Sequence, residues 1–191
     1  MVYNRQMMHL TWHEQRFRHT MRSLFGIDPK NDLQSLIKIP SDCPNGLVKC
    51  RFIYGPESFA AEFLPYKHRS VASLKIVSGS TIEYSFKFLD RQNLTQLFEQ
   101  RGTCDDIIIV KDGMLTDSYY ANLVFYDGSE WVTPDAPLLA GTQRARLLNN
   151  KSIRVGTITL DNFRGFEKVG LINALNDLSA MPQLPVGNIQ M

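Results

Sequence analysis

Residues 112–128 read DGMLTDSYYANLVFYDG, and this stretch decides how the larger, C-terminal part of the chain is built. Asp112-Gly113 follows the apolar run IIIV at 107–110, and Asp127-Gly128 follows a second apolar run that ends at Tyr126. Asp-Gly between apolar runs is the strongest short-range hairpin signal, because the favoured two-residue turns need positive φ and these residues tolerate it. The pattern predicts three successive antiparallel strands over 107–133.

The flanks extend this picture. Upstream, strands are expected over 72–77 and 82–86, the second ending at Lys87, followed by a helix over 93–100 with Leu94, Leu97 and Phe98 inward and Gly102 beyond its end. Downstream, Gly141 precedes a helix over 142–149. A strand over 153–159, a short helix near 161–166 and a strand over 169–175 follow.

The N-terminal part carries its own elements. Thr11 and Glu14 have capping-box spacing, Gly26 sits where a C′ glycine belongs, and Phe17, Met21, Leu24 and Phe25 share a face, so 11–26 reads as a helix. A weaker helix covers 33–37, before a loop marked by Pro40 and Pro44. LVKCRFIY at 47–54 alternates apolar and charged residues, and Gly55-Pro56 turns it into a return strand over 58–64. PYKHRS at 65–70 is a polar linker. The expected class is α+β in two lobes, 1–66 and 67–191, with a cleft between them.

Composition narrows the functional classes. The chain has 191 residues, 43% apolar and 21% charged, an ordinary globular balance that excludes disordered, collagen-like and coiled-coil chains. Lys and Arg number 21 against 19 Asp and Glu, too even for a nucleic-acid-binding arm. No apolar run approaches the roughly 20 residues of a membrane span, and MVYNRQMMHL lacks the apolar core of a signal peptide. Cys43, Cys50 and Cys104 have no CxxC spacing and the four histidines no HExxH pattern. These features point away from a metal site and toward reduced thiols in the cytoplasm.

The order of motifs in the second lobe is more specific. KFLDR at 87–91, a helix and an apolar strand, the 112–128 stretch, a proline-rich turn, GTQRARLL at 141–148 and INAL at 172–175 follow one another. This succession resembles the class IV aminotransferase family, the fold-type IV enzymes that use pyridoxal 5′-phosphate. Within it, KFLDR and INAL are most similar to the pattern of aminodeoxychorismate lyases. The resemblance covers 72–178 and extends to 10–63 through HEQR at 13–16.

The resemblance implies roles that the residue types alone do not. A lysine at a strand end is ordinarily solvated. In the K-x-L-N/D-R pattern, Lys87 is implied to be the Schiff-base lysine, whose pKa desolvation would lower so that its amine is free of a proton and usable as a base. Asp117 is implied to hold the pyridine nitrogen protonated. Family members usually carry Glu there, so the ring sits closer or a water intervenes. Thr142 and Gln143 open a helix behind Gly141, where free N–H groups suit the phosphate. Arg16 matches the arginine of the H-x-x-R helix that reaches the phosphate, and Asn173 falls at a small polar phosphate or substrate contact. Asn122 follows the acidic residue as a supporting side chain. Arg51 and Arg69, with Lys67, are candidates for a substrate carboxylate.

Two features depart from the family pattern. Lys87 comes early, which implies a shortened N-terminal lobe, and the usual ETI-x-I strand is replaced by MVYNRQMMHL. The first sheet should therefore show a vacant or imperfectly filled edge, either because that strand is lost or because translation starts upstream of Met1. The resemblance implies a pyridoxal-phosphate lyase like aminodeoxychorismate lyase, releasing pyruvate and forming 4-aminobenzoate for folate biosynthesis. An aminotransferase for a branched-chain or D-amino acid is the second reading, and a non-catalytic relic of the fold the third. The expected partners are a small amino substrate and a second copy in a homodimer, with neither nucleic acid nor membrane.

Overall fold

The computed structural model describes residues 1–191, which divide into two compact units, Met1–Lys67 and His68–Met191. The first unit contains β1 (Val2–Tyr3), β2 (Gln6–Met7), α1 (Leu10–Phe25), α2 (Leu33–Leu36), β3 (Leu47–Tyr54) and β4 (Phe59–Pro65). Helix α1 ends as its sequence dictates. Gly26 takes a φ of 67°, its N–H donates to the Arg22 carbonyl at 3.1 Å, and the Ile27 N–H donates to the Met21 carbonyl at 3.1 Å. The Gly26 bond is the 5→1 closure of an αL C-cap motif, for which glycine is suited because it lacks Cβ.

The helix start departs from expectation. His9 is the flanking residue, in the left-handed region, and no side chain caps it. Thr11 lies inside the helix, and the Glu14 carboxylate turns to Arg18 at 2.6 Å and to the Leu33 N–H at 2.7 Å. The capping box is not formed because Glu14 finds a cation and an otherwise unpaired helix N–H, both stronger partners than the Thr11 backbone.

Phe17 and Met21 are buried with Leu33 and Ile37, and the Phe52, Tyr54 and Phe63 face of the hairpin packs on them. The Phe17 and Tyr54 rings meet edge-on at 4.9 Å. Strand β3 pairs antiparallel with β4 from Val48↔Pro65 to Tyr54↔Phe59. On its other edge β1 pairs only with Leu47 and Val48, in the sheet order β2-β1-β3-β4. Residues 1–8 thus fill two positions of that edge.

The second unit contains β5 (Leu74–Ser78), α3 (Gln92–Glu99), β6 (Asp106–Lys111), β7 (Met114–Leu115), β8 (Asn122–Tyr126), β9 (Trp131–Pro134), α4 (Thr142–Asn149), β10 (Arg154–Gly156), β11 (Lys168–Ile172), β12 (Gln183–Pro185) and β13 (Ile189–Gln190). Two sheets form, ordered β13-β5-β6-β7 and β10-β9-β8-β11-β12. They share a core in which Leu74, Ile108 and Leu115 cluster with Leu123, Phe125, Phe163, Val169 and Leu171.

The three-stranded ladder expected over 107–133 is instead four strands divided between these sheets. Asp112 and Gly113, at φ 52° and 77°, turn β6 into β7. After two residues the chain leaves that sheet. The Thr116 hydroxyl donates to the Ile109 carbonyl at 2.9 Å, the Ser118 N–H donates to the Ala121 carbonyl at 2.9 Å, and Asp117 faces Asn122 in an isolated bridge. Strand β8 then begins the second sheet.

The strand expected over 82–86 is also absent. Ile82 and Tyr84 are buried against Val77, Leu94, Ile107 and Ile109, so the alternation is real. Both edges of β5 are already taken by β6 and β13, which leaves this segment extended without a ladder partner.

Candidate active site

The break between the two sheets places Asp117. Its carboxyl is 5% exposed, and each oxygen accepts one hydrogen bond, Oδ1 from Asn122 Nδ2 at 2.7 Å and Oδ2 from the Leu139 N–H at 2.8 Å. Asn122 Nδ2 also donates to the Leu139 carbonyl at 2.8 Å, which closes a ring of three bonds around the one residue Leu139. Burial pushes the Asp117 carboxyl up to about 7; the two hydrogen bonds and the positive charges of Arg144 and Lys87 oppose that rise. Each oxygen of this buried acid accepts one hydrogen bond and has room for a further donor.

Gly141 lies against the same ring. A Cβ there would sit 1.9 Å from Asn122 Oδ1, closer than any side chain tolerates. Gly141→Ala is expected to push Asn122 out of place and to cost about 1–3 kcal/mol of stability. Urea unfolding of the two proteins measures it, and equal stabilities would show that Asn122 does not hold this position.

Gly141 also opens α4. The helix has no side-chain cap and no acidic residue in its first turn, so the N–H groups of Thr142, Gln143 and Arg144 point outward from a positive helix end. Thr142 is buried. The Gln143 carboxamide is engaged elsewhere: Nε2 donates to Asp177 Oδ1 at 2.9 Å and Oε1 accepts from Arg146 Nε at 3.2 Å, while Arg146 pairs with Asp177 at 2.7 Å. Gln143 thereby fastens α4 to the turn after β11, and its backbone N–H is the group left for an anion.

Lys87 lies in the loop between β5 and α3, exposed, rather than at a strand end, so the burial expected for it is not present. Its charge nevertheless acts on Asp117, 30 residues away in sequence. Asn173 is half-buried, and its Oδ1 accepts from the Leu175 N–H at 2.8 Å and the Asn176 N–H at 3.1 Å, holding the INAL turn. Arg69 is exposed, with its guanidinium 5.0 Å from the centre of the Tyr120 ring and donating to the Tyr120 hydroxyl.

In the first unit, Arg16 is half-buried on α1, and its charge acts on the Met1 amino group. Arg51 pairs with Glu62 across β3 and β4 at 3.2 Å, so it already has a carboxylate partner.

Sequence reasoning passed over Arg144. It donates to Thr133 Oγ1 at 3.1 Å and to the Pro134 carbonyl at 2.8 Å, which anchors its charge beside Asp117. Its signal was its place in GTQRARLL, three residues after Gly141.

The shape of this site suits pyridoxal 5′-phosphate. A buried carboxyl with spare acceptor capacity matches a protonated ring nitrogen, an uncapped helix start matches a phosphate, and a lysine charge reaches the carboxyl. Residues 86–183 match the model of the amino-transferase class IV family. The chain belongs to this family of fold-type IV, pyridoxal-phosphate-dependent enzymes.

A curated protein of Haemophilus influenzae, described as uncharacterized, is 36% identical over 179 residues, covering 93% of this chain and 95% of that one. Among solved structures, a "putative 4-amino-4-deoxychorismate lyase" from Haemophilus somnus 129pt is 32% identical with a TM-score of 0.80, covering 93% of this chain and 94% of that one. A "putative amino-acid aminotransferase" from Mesorhizobium loti shares the fold at 18% identity and a TM-score of 0.76, with 93% and 91% covered. The compact first unit is therefore shared with relatives of nearly the same length.

Proposed function

We propose that this protein is a pyridoxal-phosphate-dependent lyase that cleaves 4-amino-4-deoxychorismate to pyruvate and 4-aminobenzoate, a step of folate biosynthesis, and that it works as a cytoplasmic homodimer. The observation that carries the cofactor reading is the Asp117–Asn122–Leu139 ring within electrostatic reach of Lys87. Likeness to the Haemophilus somnus protein, together with the INAL turn, supports the lyase.

When bound, the cofactor supplies the electron sink for carbanion chemistry next to an amine. The chain supplies the rest. Lys87 would be the residue that holds the cofactor aldehyde, and its Nζ, once free, would move the proton at the carbon next to the substrate amine. Asp117 accepts the ring N–H and provides the negative charge that keeps it protonated. Thr142 and the first-turn N–H groups of α4, including that of Gln143, would hold the phosphate, with Asn173 at its margin. Arg69 is the better placed of the two arginines for a substrate carboxylate, because Arg51 would first have to leave Glu62.

Incubation with 4-amino-4-deoxychorismate and no amino acceptor is expected to yield pyruvate and 4-aminobenzoate in equal amounts, read by a lactate dehydrogenase couple and by 4-aminobenzoate fluorescence. If neither product forms while a branched-chain or D-amino acid is converted to its keto acid, the protein is an aminotransferase. If the purified protein takes up no cofactor, both readings fail.

A further inference from the structure

The loop that carries Asp117 is held not only at Asp117 and Ser118 but also at Tyr119. Its N–H donates to Asp106 Oδ1 at 3.3 Å, and its carbonyl accepts from Arg91 Nη2. Its hydroxyl lies 3.1 Å from Thr95 Oγ1. Its ring stacks on Phe98 with centroids 4.4 Å apart, and the Arg91 guanidinium lies 4.4 Å from the ring centre. Backbone, hydroxyl and ring are thus all engaged, by β6, by α3 and by the residue that precedes α3.

Arg91 is the last residue of KFLDR, four beyond Lys87, and Tyr119 is two beyond Asp117. One guanidinium therefore spans the segment that carries the amine and the loop that carries the acid. The arrangement leaves Arg91 Nε and Asp106 Oδ2 buried without a partner in the protein. Buried unpaired polar atoms are unfavourable, and apolar side chains of similar shape would pin a surface loop without them.

We propose that Arg91 is a positioning residue, which sets the spacing of Asp117 from Lys87 by gripping the Tyr119 carbonyl. The inference rests on the roles proposed for Lys87 and Asp117, but its test does not require the cofactor. The charged groups that act on Asp117 are Arg144 and Lys87; those that act on Asp106 are Arg69 and Arg101. Losing the Arg91 positive charge would by itself raise the Asp117 midpoint. Loosening the loop works in the opposite direction: it admits water and lowers the midpoint from about 7 toward the usual carboxylate range.

The experiment follows the Asp117 carboxyl carbon by 13C NMR across pH in cofactor-free full-length protein. Arg91→Gln is expected to lower the midpoint by at least one pH unit, a tenfold weaker hold on the proton, and Arg91→Lys by less. A midpoint in Arg91→Gln that is unchanged or raised overturns the proposal. If Arg91→Gln does not fold, Arg91→Lys is judged by the same sign. In the cofactor-loaded enzyme Arg91→Lys is expected to lower kcat about tenfold with KM unchanged, and a change confined to KM counts against positioning. Wild-type protein that binds no cofactor would sink the proposed function while the titration still decides on the clamp.

Discussion

Lys87→Ala is expected to abolish covalent attachment of pyridoxal 5′-phosphate and to lower turnover by roughly four to six orders of magnitude, the scale seen when a covalent catalyst is removed. Borohydride reduction of the loaded wild-type protein should fix the cofactor on the peptide that contains Lys87, and mass mapping should find that peptide unlabelled in the variant. No other lysine is as well placed. Lys111, the nearest lysine to Asp117 in sequence, donates to the Ile82 carbonyl at 3.0 Å and pairs with Glu83 at 2.5 Å, so its amine is already committed. Because the Lys87 charge helps hold the Asp117 carboxyl down, its removal should also raise the Asp117 midpoint in cofactor-free protein. Label on Lys75 or another lysine, with Lys87 unmodified, would refute the assignment and the acid–amine pairing with it.

The parts of the fold that were legible in the sequence are those decided by local chemistry. Gly26 ends α1 because a left-handed C′ residue is a property of that position alone. Strand β3 occupies 47–54 because alternation over eight residues specifies a half-buried strand, and α4 begins after Gly141 as its motif indicates. The failures share a cause in partners that are distant in sequence. Whether Ile82 and Tyr84 belong to a ladder depends on whether an edge of β5 is open, and both edges are occupied. The change of sheet after β7 depends on the Ile109 carbonyl, Asp106 and Arg91, which no reading of 112–128 could include. The short strands β12 and β13 exist only because β11 and β5 offer them edges.

The same division holds for the site. Motifs singled out Lys87, Asp117 and the start of α4 as candidates, since family spacing is written along the chain. They did not reveal that the Gln143 side chain belongs to Asp177 and Arg146, that Arg51 belongs to Glu62, or that Arg144 supplies charge to Asp117. A side chain's role depends on which neighbours have already claimed its polar atoms, and that is a property of the packed structure.

Asp117→Asn tests the central acid in both stability and rate. In the cofactor-free wild type the folded carboxyl keeps its proton up to about pH 7, whereas the unfolded chain releases it near pH 4. Folding therefore takes up a proton between those values, and stability declines as the pH rises through them, by on the order of 4 kcal/mol in all. Asparagine cannot ionise, so this decline should vanish. The variant gives up about 1 kcal/mol in exchange, because one amide oxygen cannot serve both Asn122 Nδ2 and the Leu139 N–H. Denaturant unfolding should find Asp117→Asn the less stable protein at pH 4 and the more stable at pH 8, with the curves crossing between. Parallel curves would mean that the carboxyl is not buried in its charged form. With cofactor and substrate the effect should reverse in sense. An amide offers the ring nitrogen no negative charge, and turnover should fall by about two to three orders of magnitude, which corresponds to about 2.7–4 kcal/mol of lost transition-state stabilisation. Full activity in a variant that is more stable at pH 8 would assign Asp117 to the fold alone and leave the ring nitrogen without its partner.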